Sequence, residues 1–322
     1  MLDLYGTLGP ACAGADMLEA MLKLGMTGMR LNLSHTSLPE AAPLVEALHE
    51  AARRCGRAAK LLIDMQGPEL RIGRLAEPLS LGEGERLPLS RLPLPEALRR
   101  ALSPGQELLL DDGKLLLRLE GEETLLVLRG GLLQSRKSVA VPGLSVHLPA
   151  LTEDDRANLT LAPAYGVTGV MQPFVRSRAD LEELRRALDA AGGRNIRIFA
   201  KIESREGVEH LPELLPGADE IVIARGDLGN AMPLWQLPAA QKRIAAQCRR
   251  AGKPFMVVTQ MLASMERSPV PTRAEVSDVF NAVLDGAASL MVTGETAVGA
   301  YPEAVIRYLA NTAAEALRFQ TK

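Results

Sequence analysis

The 322-residue sequence contains little cysteine, few aromatic residues and no long apolar run. Its three cysteines, Cys12, Cys55 and Cys248, lie far apart without CxxC spacing, which excludes a disulfide scaffold and predicts reduced thiols. No apolar stretch is long enough to span a membrane, and the opening MLDLYGTLGP lacks the basic and apolar regions of a secretory signal. We therefore expect a soluble, cytoplasmic protein.

An excess of charge of one sign is also missing, because 37 Lys and Arg residues face 39 Asp and Glu residues. No basic tract and no alternation of basic and aromatic residues occurs, so we expect no nucleic-acid partner. Apolar residues, in contrast, make up 47% of the chain and support a sizeable core. The length fits two average domains or one (β/α) barrel with an insertion.

Short apolar runs alternate with helix-sized segments along most of the chain. In the segment 196–229, one run ends at residues 201–203 (Lys-Ile-Glu), the next ends at residues 225–227 (Arg-Gly-Asp), and a helix is predicted between them over 206–215. This order predicts a parallel βαβ unit. The predicted strands are 2–8, 28–31, 59–63, 168–172, 196–200, 220–224, 255–258 and 289–292. The predicted helices are 16–24, 39–54, one from Thr152, 179–191, 206–215, 238–251, one from Thr272, and 302–317. Eight strands and eight helices are the count of a TIM barrel.

The alternation is interrupted between residues 69 and 139. Leucine, glycine, proline and glutamate recur there in short alternating runs, and the DDG and EGEE sequences at 111–113 and 120–123 are typical of hairpin turns. A disordered insertion is the alternative, but the dense leucines argue against it. We predict an α/β protein in which residues 1–67 and 140–322 form a (β/α)8 barrel. Residues 68–139 then form a small, mostly β lid domain inserted after strand three.

Polar side chains follow the predicted barrel strands at the point where each strand ends. They are Arg30, Asn32 and Ser34, Asp64, Lys201 and Glu203, Asp227, Thr259, and Glu295. Each alone has an ordinary explanation as a solvated loop residue or a cap. Parallel strands, however, bring their carboxyl ends to one edge, where barrels build active sites. Two carboxylates suit Mg²⁺, and a lysine beside them adds a point charge for a phosphate. We expect no comparable polar cluster at the amino ends of the strands.

Eleven sequence motifs, in order along nearly the whole chain, resemble the pyruvate kinase family. They are TLGPAC at 7–12, MRLNLSH at 29–35, IDMQGPELRIG at 63–73, LLDDG at 109–113, SRKSVAVPG at 135–143, LPALTEDD at 148–155, AKIESREGV at 200–208, ARGDLG at 224–229, GKPFMVVTQMLASM at 252–265, PTRAEVSDVFNAVLDGA at 271–287 and TGETAVGAYP at 293–302. The family fold is a (β/α)8 barrel with a β lid after strand three, which agrees with the boundaries predicted above.

The resemblance implies an Mg²⁺ site and a phosphoryl-transfer site. Glu203 and Asp227 would hold the Mg²⁺ that bridges phosphoenolpyruvate, and Lys201 would stabilise the phosphoryl group in transfer, with Arg30 beside it. Phosphoryl transfer requires charge neutralisation and in-line positioning more than covalent help, which fits these residue types.

The resemblance also implies residues around the organic part of the substrate. The amides of Gly226 and Asp227 would receive the substrate carboxylate, and Arg71 would join them in binding the substrate. Thr259 would lie on the face where the enolate of pyruvate is protonated, and Glu295 would support a water relay.

A K⁺ site and a nucleotide site complete what the resemblance implies. Asn32, Ser34, Asp64 and the carbonyl of Met65 match an oxygen-only K⁺ site, and Glu69 stands where K⁺-dependent members carry glutamate. The nucleotide, ADP or ATP, would bind at Pro10, Arg30, His35 and Lys137, although His35 has an alternative explanation as a hydrogen-bonded loop histidine.

The sequence departs from the family pattern in four places. Met65-Gln66 replaces Thr-Lys, Gln172-Pro173-Phe174 replaces a serine before phenylalanine, Asn230-Ala231 replaces an apolar residue and glutamate, and Thr293 replaces serine. The family's C-terminal domain has no counterpart before the sequence ends. We therefore expect no allosteric control by such a domain, and a homodimer formed through barrel faces.

Three functions agree with these features. The first is a pyruvate kinase that converts phosphoenolpyruvate and ADP into pyruvate and ATP. The second is an Mg²⁺-dependent barrel lyase or aldolase acting on a 2-oxo acid, which would need neither Lys201 nor a K⁺ site. The third is a non-catalytic paralogue with a binding or regulatory role. The first is favoured because Lys201, Glu203, Asp227, Thr259 and Arg30 together have no purely structural explanation.

Overall fold

The structure is a computed structural model that describes residues 2–34, 36–111, 113–144, 146 and 148–321. Its strands, in chain order, are β1 (Asp3–Thr7), β2 (Gly28–Asn32), β3 (Lys60–Asp64), β4 (Leu79–Leu81), β5 (Arg86–Pro88), β6 (Glu107–Leu110), β7 (Leu115–Glu120), β8 (Thr124–Arg129), β9 (Gly131–Leu133), β10 (Val139–Ala140), β11 (Gly169–Gln172), β12 (Arg197–Ile202), β13 (Glu220–Ala224), β14 (Phe255–Val258) and β15 (Ser289–Met291).

The helices are α1 (Ala15–Lys23), α2 (Ala42–Arg54), α3 (Glu96–Ala101), α4 (Glu153–Leu161), α5 (Arg178–Ala190), α6 (Arg205–Glu209), α7 (Leu211–Leu214), α8 (Arg225–Asn230), α9 (Leu237–Arg250), α10 (Arg273–Leu284), α11 (Gly294–Ala297) and α12 (Pro302–Gln320). Within the described residues, none of these helices is both long and apolar enough to cross a membrane.

The chain divides into two compact units. The first consists of Met1–Gly67, Ala150–Arg225 and Pro238–Lys322, and the second of Pro68–Pro149 and Gly226–Leu237. The predicted division into a barrel and a lid at residues 68 and 139 stays a prediction, since the second unit reaches Pro149 and includes a later segment.

The first unit is a closed barrel of eight parallel strands in the order β1, β15, β14, β13, β12, β11, β3, β2. This confirms the predicted (β/α)8 fold. Its interior contains large apolar side chains such as Phe199, Met256 and Met291, all almost fully buried. Neighbouring strands pair in register, so that Asn32 lies opposite Asp64 at the carboxyl ends of β2 and β3. The register fixes which strand-end residues become neighbours.

Two predicted helices differ from the observed ones because of proline. The single helix predicted over 206–215 is two short helices, α6 and α7, which meet at His210. Pro212 lies in the first turn of α7, where its missing N–H costs nothing, whereas inside one continuous helix it would remove a hydrogen bond. The helix predicted from residue 39 begins at Ala42, with Pro43 in its first turn. The helices predicted from Thr152 and Thr272 both begin there with capping boxes.

The amino ends of the strands do carry one small polar group, centred on Glu220. Glu220, only 2% exposed at the start of β13, forms an ion pair of 3.0 Å with Arg197 and accepts a hydrogen bond from the Ser289 hydroxyl. Burial raises the pKa of Glu220, and its two partners only partly oppose that rise. No local sequence pattern relates Glu220 to Ser289, because the two residues are 69 positions apart along the chain.

The second unit contains a five-stranded antiparallel sheet in the order β10, β6, β7, β8, β5, and a separate pair of β4 and β9. Buried leucines alternate with half-buried or exposed positions along β7, and Leu108, Leu117 and Leu125 are fully buried in the core of this unit. The turns between β6 and β7 and between β7 and β8 lie where DDG and EGEE predict hairpins. The described part of this segment is therefore folded, and the alternative of a disordered insertion is wrong.

Candidate active site

Four charged side chains form a buried network at the carboxyl ends of β2, β3 and β12. Arg30 Nη2 lies 2.7 Å from Asp64 Oδ2, and Lys201 Nζ lies 3.1 Å from Asp64 Oδ1 and 3.0 Å from Glu203 Oε1. Both carboxylates are 2% exposed. Two cations and two anions balance, which is what burial of charge requires.

Asp64 is the centre of this network. Burial by itself would raise the pKa of Asp64, but the Lys201 ammonium and the Arg30 guanidinium outweigh burial and hold the pKa below its ordinary value. Asp64 is therefore ionised at neutral pH. An ionised Asp64 fixes both cations, so that each has a defined place before any phosphate binds.

The second oxygen of Glu203 is held by the loop after β11. Glu203 Oε2 accepts a hydrogen bond of 2.8 Å from the N–H of Phe174, whose φ of 48° lies in the left-handed region. The preceding Pro173 packs closely on Gly67, where an added Cβ would lie 2.3 Å from the proline ring. Pro173, one of the departures from the family pattern, is thus accommodated by a glycine, and its loop supplies an N–H to the candidate metal ligand.

The turn after β3 is held by Asp155, which is 1% exposed. Its two oxygens accept hydrogen bonds of 3.0 Å from the N–H groups of Gln66 and Gly67. A trans peptide is planar, with its N–H and C=O pointing in opposite directions, so this bond also fixes the direction of the Met65 carbonyl. Asp155 therefore positions the one backbone oxygen among the candidate K⁺ ligands.

The remaining candidate K⁺ ligands offer oxygen only. The side-chain oxygen of Asn32 accepts a hydrogen bond of 3.1 Å from the Ser34 N–H. Asn32 therefore does cap the loop after β2, which is the ordinary explanation considered for residues at strand ends. An amide oxygen has a second lone pair, and a carboxylate bound to cations also keeps further acceptor sites. This donor set fits a hard cation. Within the described residues, no group of three or more His, Cys, Asp and Glu side chains is arranged to hold a metal ion.

The backbone is strained at Thr259, directly after β14. Thr259 and Gln260 have φ values of 82° and 54°, in a region that costs a non-glycine residue about 1 to 3 kcal/mol. Arg225 donates to the Thr259 carbonyl from Nε at 3.0 Å and from Nη2 at 2.7 Å. Its Nη1 forms an ion pair of 2.7 Å with Asp278 of α10. These contacts stabilise the strained turn.

Glu295 connects the loops that follow β14 and β15. It is 1% exposed, and its oxygens accept hydrogen bonds from the N–H of Leu262 at 3.1 Å and from the N–H of Thr293 at 2.6 Å. Threonine at position 293 retains the hydroxyl of the family's serine and donates it to Glu295 at 3.2 Å. In this structure Glu295 holds backbone, and its part in a proton relay stays a prediction.

Four further candidate residues lie in the second compact unit. Gly226 and Asp227 lie in the first turn of α8 and belong to the second unit. In the same unit, Arg71 forms an ion pair of 2.7 Å with Glu69. Lys137 forms one of 2.9 Å with Asp111.

Two nucleotide-site candidates lie apart from these. Pro10 is exposed and begins the short 3-10 turn Pro10–Cys12 of the first unit. His35 lies outside the described residues.

Sequence reasoning missed the groups that hold the candidate site together. The hydrogen bond that Asp155 accepts from Gly67, 88 residues earlier in the chain, has no local sequence signal. The Phe174 N–H and the bond from Arg225 to Thr259 depend on backbone conformation that composition does not reveal. Arg225 itself was recognisable as a charge at a strand end, but its partner Asp278 was not.

The chain is similar to known proteins over most of its length. A family model described as pyruvate kinase, barrel domain, matches residues 2–306. The pyruvate kinase of Geobacillus stearothermophilus is 40% identical over 318 residues, which cover 94% of this chain and 54% of that protein. That of Sporosarcina psychrophila is 36% identical over 313 residues, covering 92% and 53%. That of Mycobacterium tuberculosis H37Rv is 39% identical over 316 residues, covering 94% and 67%. The chain spans about half the length of the first two.

Proposed function

The chain belongs to the pyruvate kinase family, and from that premise we propose that it transfers the phosphoryl group of phosphoenolpyruvate to ADP. The observation that supports this most is the buried network of Arg30, Asp64, Lys201 and Glu203, in which two cations are fixed beside a candidate metal ligand. A lyase or aldolase acting through a metal alone would have no use for a buried lysine held by two carboxylates.

The proposed reaction balances atoms and charge. Phosphoenolpyruvate, ADP and one proton give pyruvate and ATP: the bond from phosphorus to the enol oxygen breaks, and a bond from phosphorus to an oxygen of the ADP β-phosphate forms. The enolate then takes the proton at C3 as C2 becomes a carbonyl. Lys201 and Arg30 face the charge on the phosphoryl oxygens in the transition state, where preorganised cations stabilise most.

The family is metal-dependent, and we assign Mg²⁺ to Glu203 and Asp227. Glu203 is already oriented by Lys201 and by the Phe174 N–H. When bound, Mg²⁺ would neutralise charge on the phosphoryl and carboxylate oxygens of the substrate. Two carboxylates are a usual protein contribution to an Mg²⁺ site whose other ligands are substrate and water.

We assign K⁺ to Asn32, Ser34, Asp64 and the carbonyl of Met65. The chemistry of these oxygens and the fixed direction of the Met65 carbonyl support the assignment. When bound, K⁺ would add positive charge near the transferred group.

The resemblance also assigns residues to the substrate and the nucleotide. We propose that the amides of Gly226 and Asp227, with Arg71, bind phosphoenolpyruvate and pyruvate. We propose further that Thr259 and Glu295 act in the protonation of C3. The proposed residues for ADP and ATP are Pro10, Arg30, His35 and Lys137.

We further propose a cytoplasmic homodimer formed through barrel faces, without nucleic-acid or membrane partners. Exposed apolar side chains on the first unit support an interface, since Val298 is 67% and Phe319 is 62% exposed. Light scattering of the purified chain tests this, and a monomer at all concentrations would contradict it.

An assay of ATP formation from phosphoenolpyruvate and ADP tests the proposed function. Omitting Mg²⁺, K⁺, ADP or phosphoenolpyruvate in turn provides the controls. We expect ATP and pyruvate in equal amounts, with activity lost when Mg²⁺ is omitted. Binding of phosphoenolpyruvate without turnover would favour the non-catalytic paralogue, and cleavage of a 2-oxo acid without ATP would favour the lyase.

A further inference from the structure

The turn after β14 is held in an unusual way by one arginine. Thr259 has a φ of 82°, an outlier for a β-branched residue, and Gln260 follows with a φ of 54°. The guanidinium of Arg225 donates twice to the Thr259 carbonyl, at 3.0 and 2.7 Å, and once to the Gln260 carbonyl, at 3.1 Å. One side chain therefore binds both carbonyls of the strained turn.

The guanidinium is itself fixed. Its Nη1 forms an ion pair of 2.7 Å with Asp278, and the Arg225 side chain is only 13% exposed. Because a guanidinium is a rigid plane, binding Asp278 on one side sets the direction of the donors on the other. The orientation of the Thr259 carbonyl, and with it the backbone of Thr259, is therefore set by Arg225 and through it by α10.

We propose that Arg225 is a positioning residue for proton transfer, which keeps Thr259 in the backbone conformation that protonation of the enolate requires. This rests on the proposed function. The alternative is that Arg225 only stabilises a loop. The positioning role and the purely stabilising role predict different effects when the Arg225 side chain is removed. Phosphoryl transfer depends on the network around Lys201, whereas protonation of C3 depends on Thr259, so a positioning role predicts a defect in protonation alone.

Loss of positioning has a specific chemical consequence. If phosphoryl transfer is complete but protonation is slow, the enol leaves the site and becomes the ketone in solution, where neither face of C3 is preferred. A loop that is merely less stable lowers the amount of active protein and leaves the facial preference of the remainder unchanged.

The experiment uses the full chain with Arg225→Met, Arg225→Lys and the matched control Arg197→Met. Arg197, like Arg225, forms an ion pair with a carboxylate, in its case Glu220, but at the opposite end of the strands. The substrate is (Z)-3-methyl phosphoenolpyruvate in D₂O, which gives a 2-oxo acid with a stereocentre at C3. The readouts are ATP formed per turnover, the enantiomeric ratio at C3, and amide hydrogen exchange in peptides spanning residues 258–262.

We expect Arg225→Met to lower kcat for ketone formation about 10- to 100-fold, as small misplacements of reacting groups do. The variant should still form ATP, but protonation of C3 should no longer favour one face. Exchange in residues 258–262 should rise. Arg225→Lys keeps the charge but lacks the rigid planar donors of the guanidinium, so its effect should be intermediate. Arg197→Met should keep the parent enantiomeric ratio. An unchanged ratio or unchanged exchange in Arg225→Met would overturn the inference. If the parent chain formed no ATP from phosphoenolpyruvate itself, the proposed function would be refuted. The comparison of hydrogen exchange between parent and Arg225→Met would still decide whether Arg225 holds the turn.

Discussion

Replacing Lys201 with methionine should damage both catalysis and folding, and the two effects can be separated. Lys201 contacts Asp64 and Glu203, so Lys201→Met leaves two buried carboxylates with Arg30 as their remaining cation in the network. Removing one partner of a buried ion pair costs about 3 to 5 kcal/mol.

The catalytic effect should be larger than the loss of folded protein explains. An ammonium that stabilises charge in the transition state is worth about 10²- to 10³-fold in kcat, by comparison with other preorganised donors. Lys60→Met is the matched control, because Lys60 forms an ion pair of 2.5 Å with Asp3 but is 41% exposed. Exposed pairs contribute about 0 to 1 kcal/mol, so this control should stay close to the parent in stability and turnover.

The double variant Lys201→Met/Asp64→Asn isolates the two roles. It restores the balance of one cation and one anion, and we expect it to be more stable than Lys201→Met while remaining catalytically impaired. Stability is measured by urea unfolding without metal at pH 7, and turnover by ATP formation from phosphoenolpyruvate. Near-parent turnover in Lys201→Met would refute the proposed role, and a double variant no more stable than the single one would refute the charge argument.

Three further predictions concern metals and pH. Glu203→Gln and Asp227→Asn should each raise the Mg²⁺ concentration needed for half-maximal activity, because the ion loses half of its protein charge; identical metal titrations of parent and variants would place the ion elsewhere. K⁺ should activate the parent relative to tetramethylammonium at matched ionic strength, and Glu69→Lys should lose that response. Glu69→Gln is the control for the lost ion pair with Arg71. Equal rates of the parent in the two salts would refute the assignment of the K⁺ site. The pKa of Asp64 is lowered on folding, so its stabilisation is complete above the ordinary aspartate value of about 4 and disappears as pH falls through the lowered pKa. Urea unfolding of parent and Asp64→Asn should therefore converge at low pH, and a constant difference down to pH 2 would contradict this.

The predicted barrel was recoverable from the sequence because each strand is a short buried run that stops at a polar residue. β13 and β14 were predicted at their observed bounds for this reason. Capping boxes at Thr152 and Thr272 are equally local, since all the atoms involved lie within four residues. The helix predicted over 206–215 is instead two short helices, because Pro212 lacks the N–H that a continuous helix would need at that position.

The contacts that organise the candidate site were not recoverable in the same way. Lys201 and Asp64 are 137 residues apart, and Arg225 and Asp278 are 53 apart, so no periodicity relates them. Strand ends indicate that such residues share an edge, but not which of them pair. The pairing depends on strand register and on rotamers, which are tertiary properties.

Each end of the barrel carries a buried carboxylate, and the neighbours of the two carboxylates differ. Asp64 at the carboxyl end and Glu220 at the amino end are each 2% exposed, yet the pKa of Asp64 is lowered and that of Glu220 is raised. Asp64 has two close cations that outweigh its burial, whereas Glu220 has Arg197, which is 38% exposed, and a neutral hydroxyl. Asp64 can therefore hold two cations in place, whereas Glu220 contacts one cation and one hydroxyl within the core. Burial alone therefore does not identify the candidate functional end of this barrel, whereas two cations held by one ionised carboxylate do.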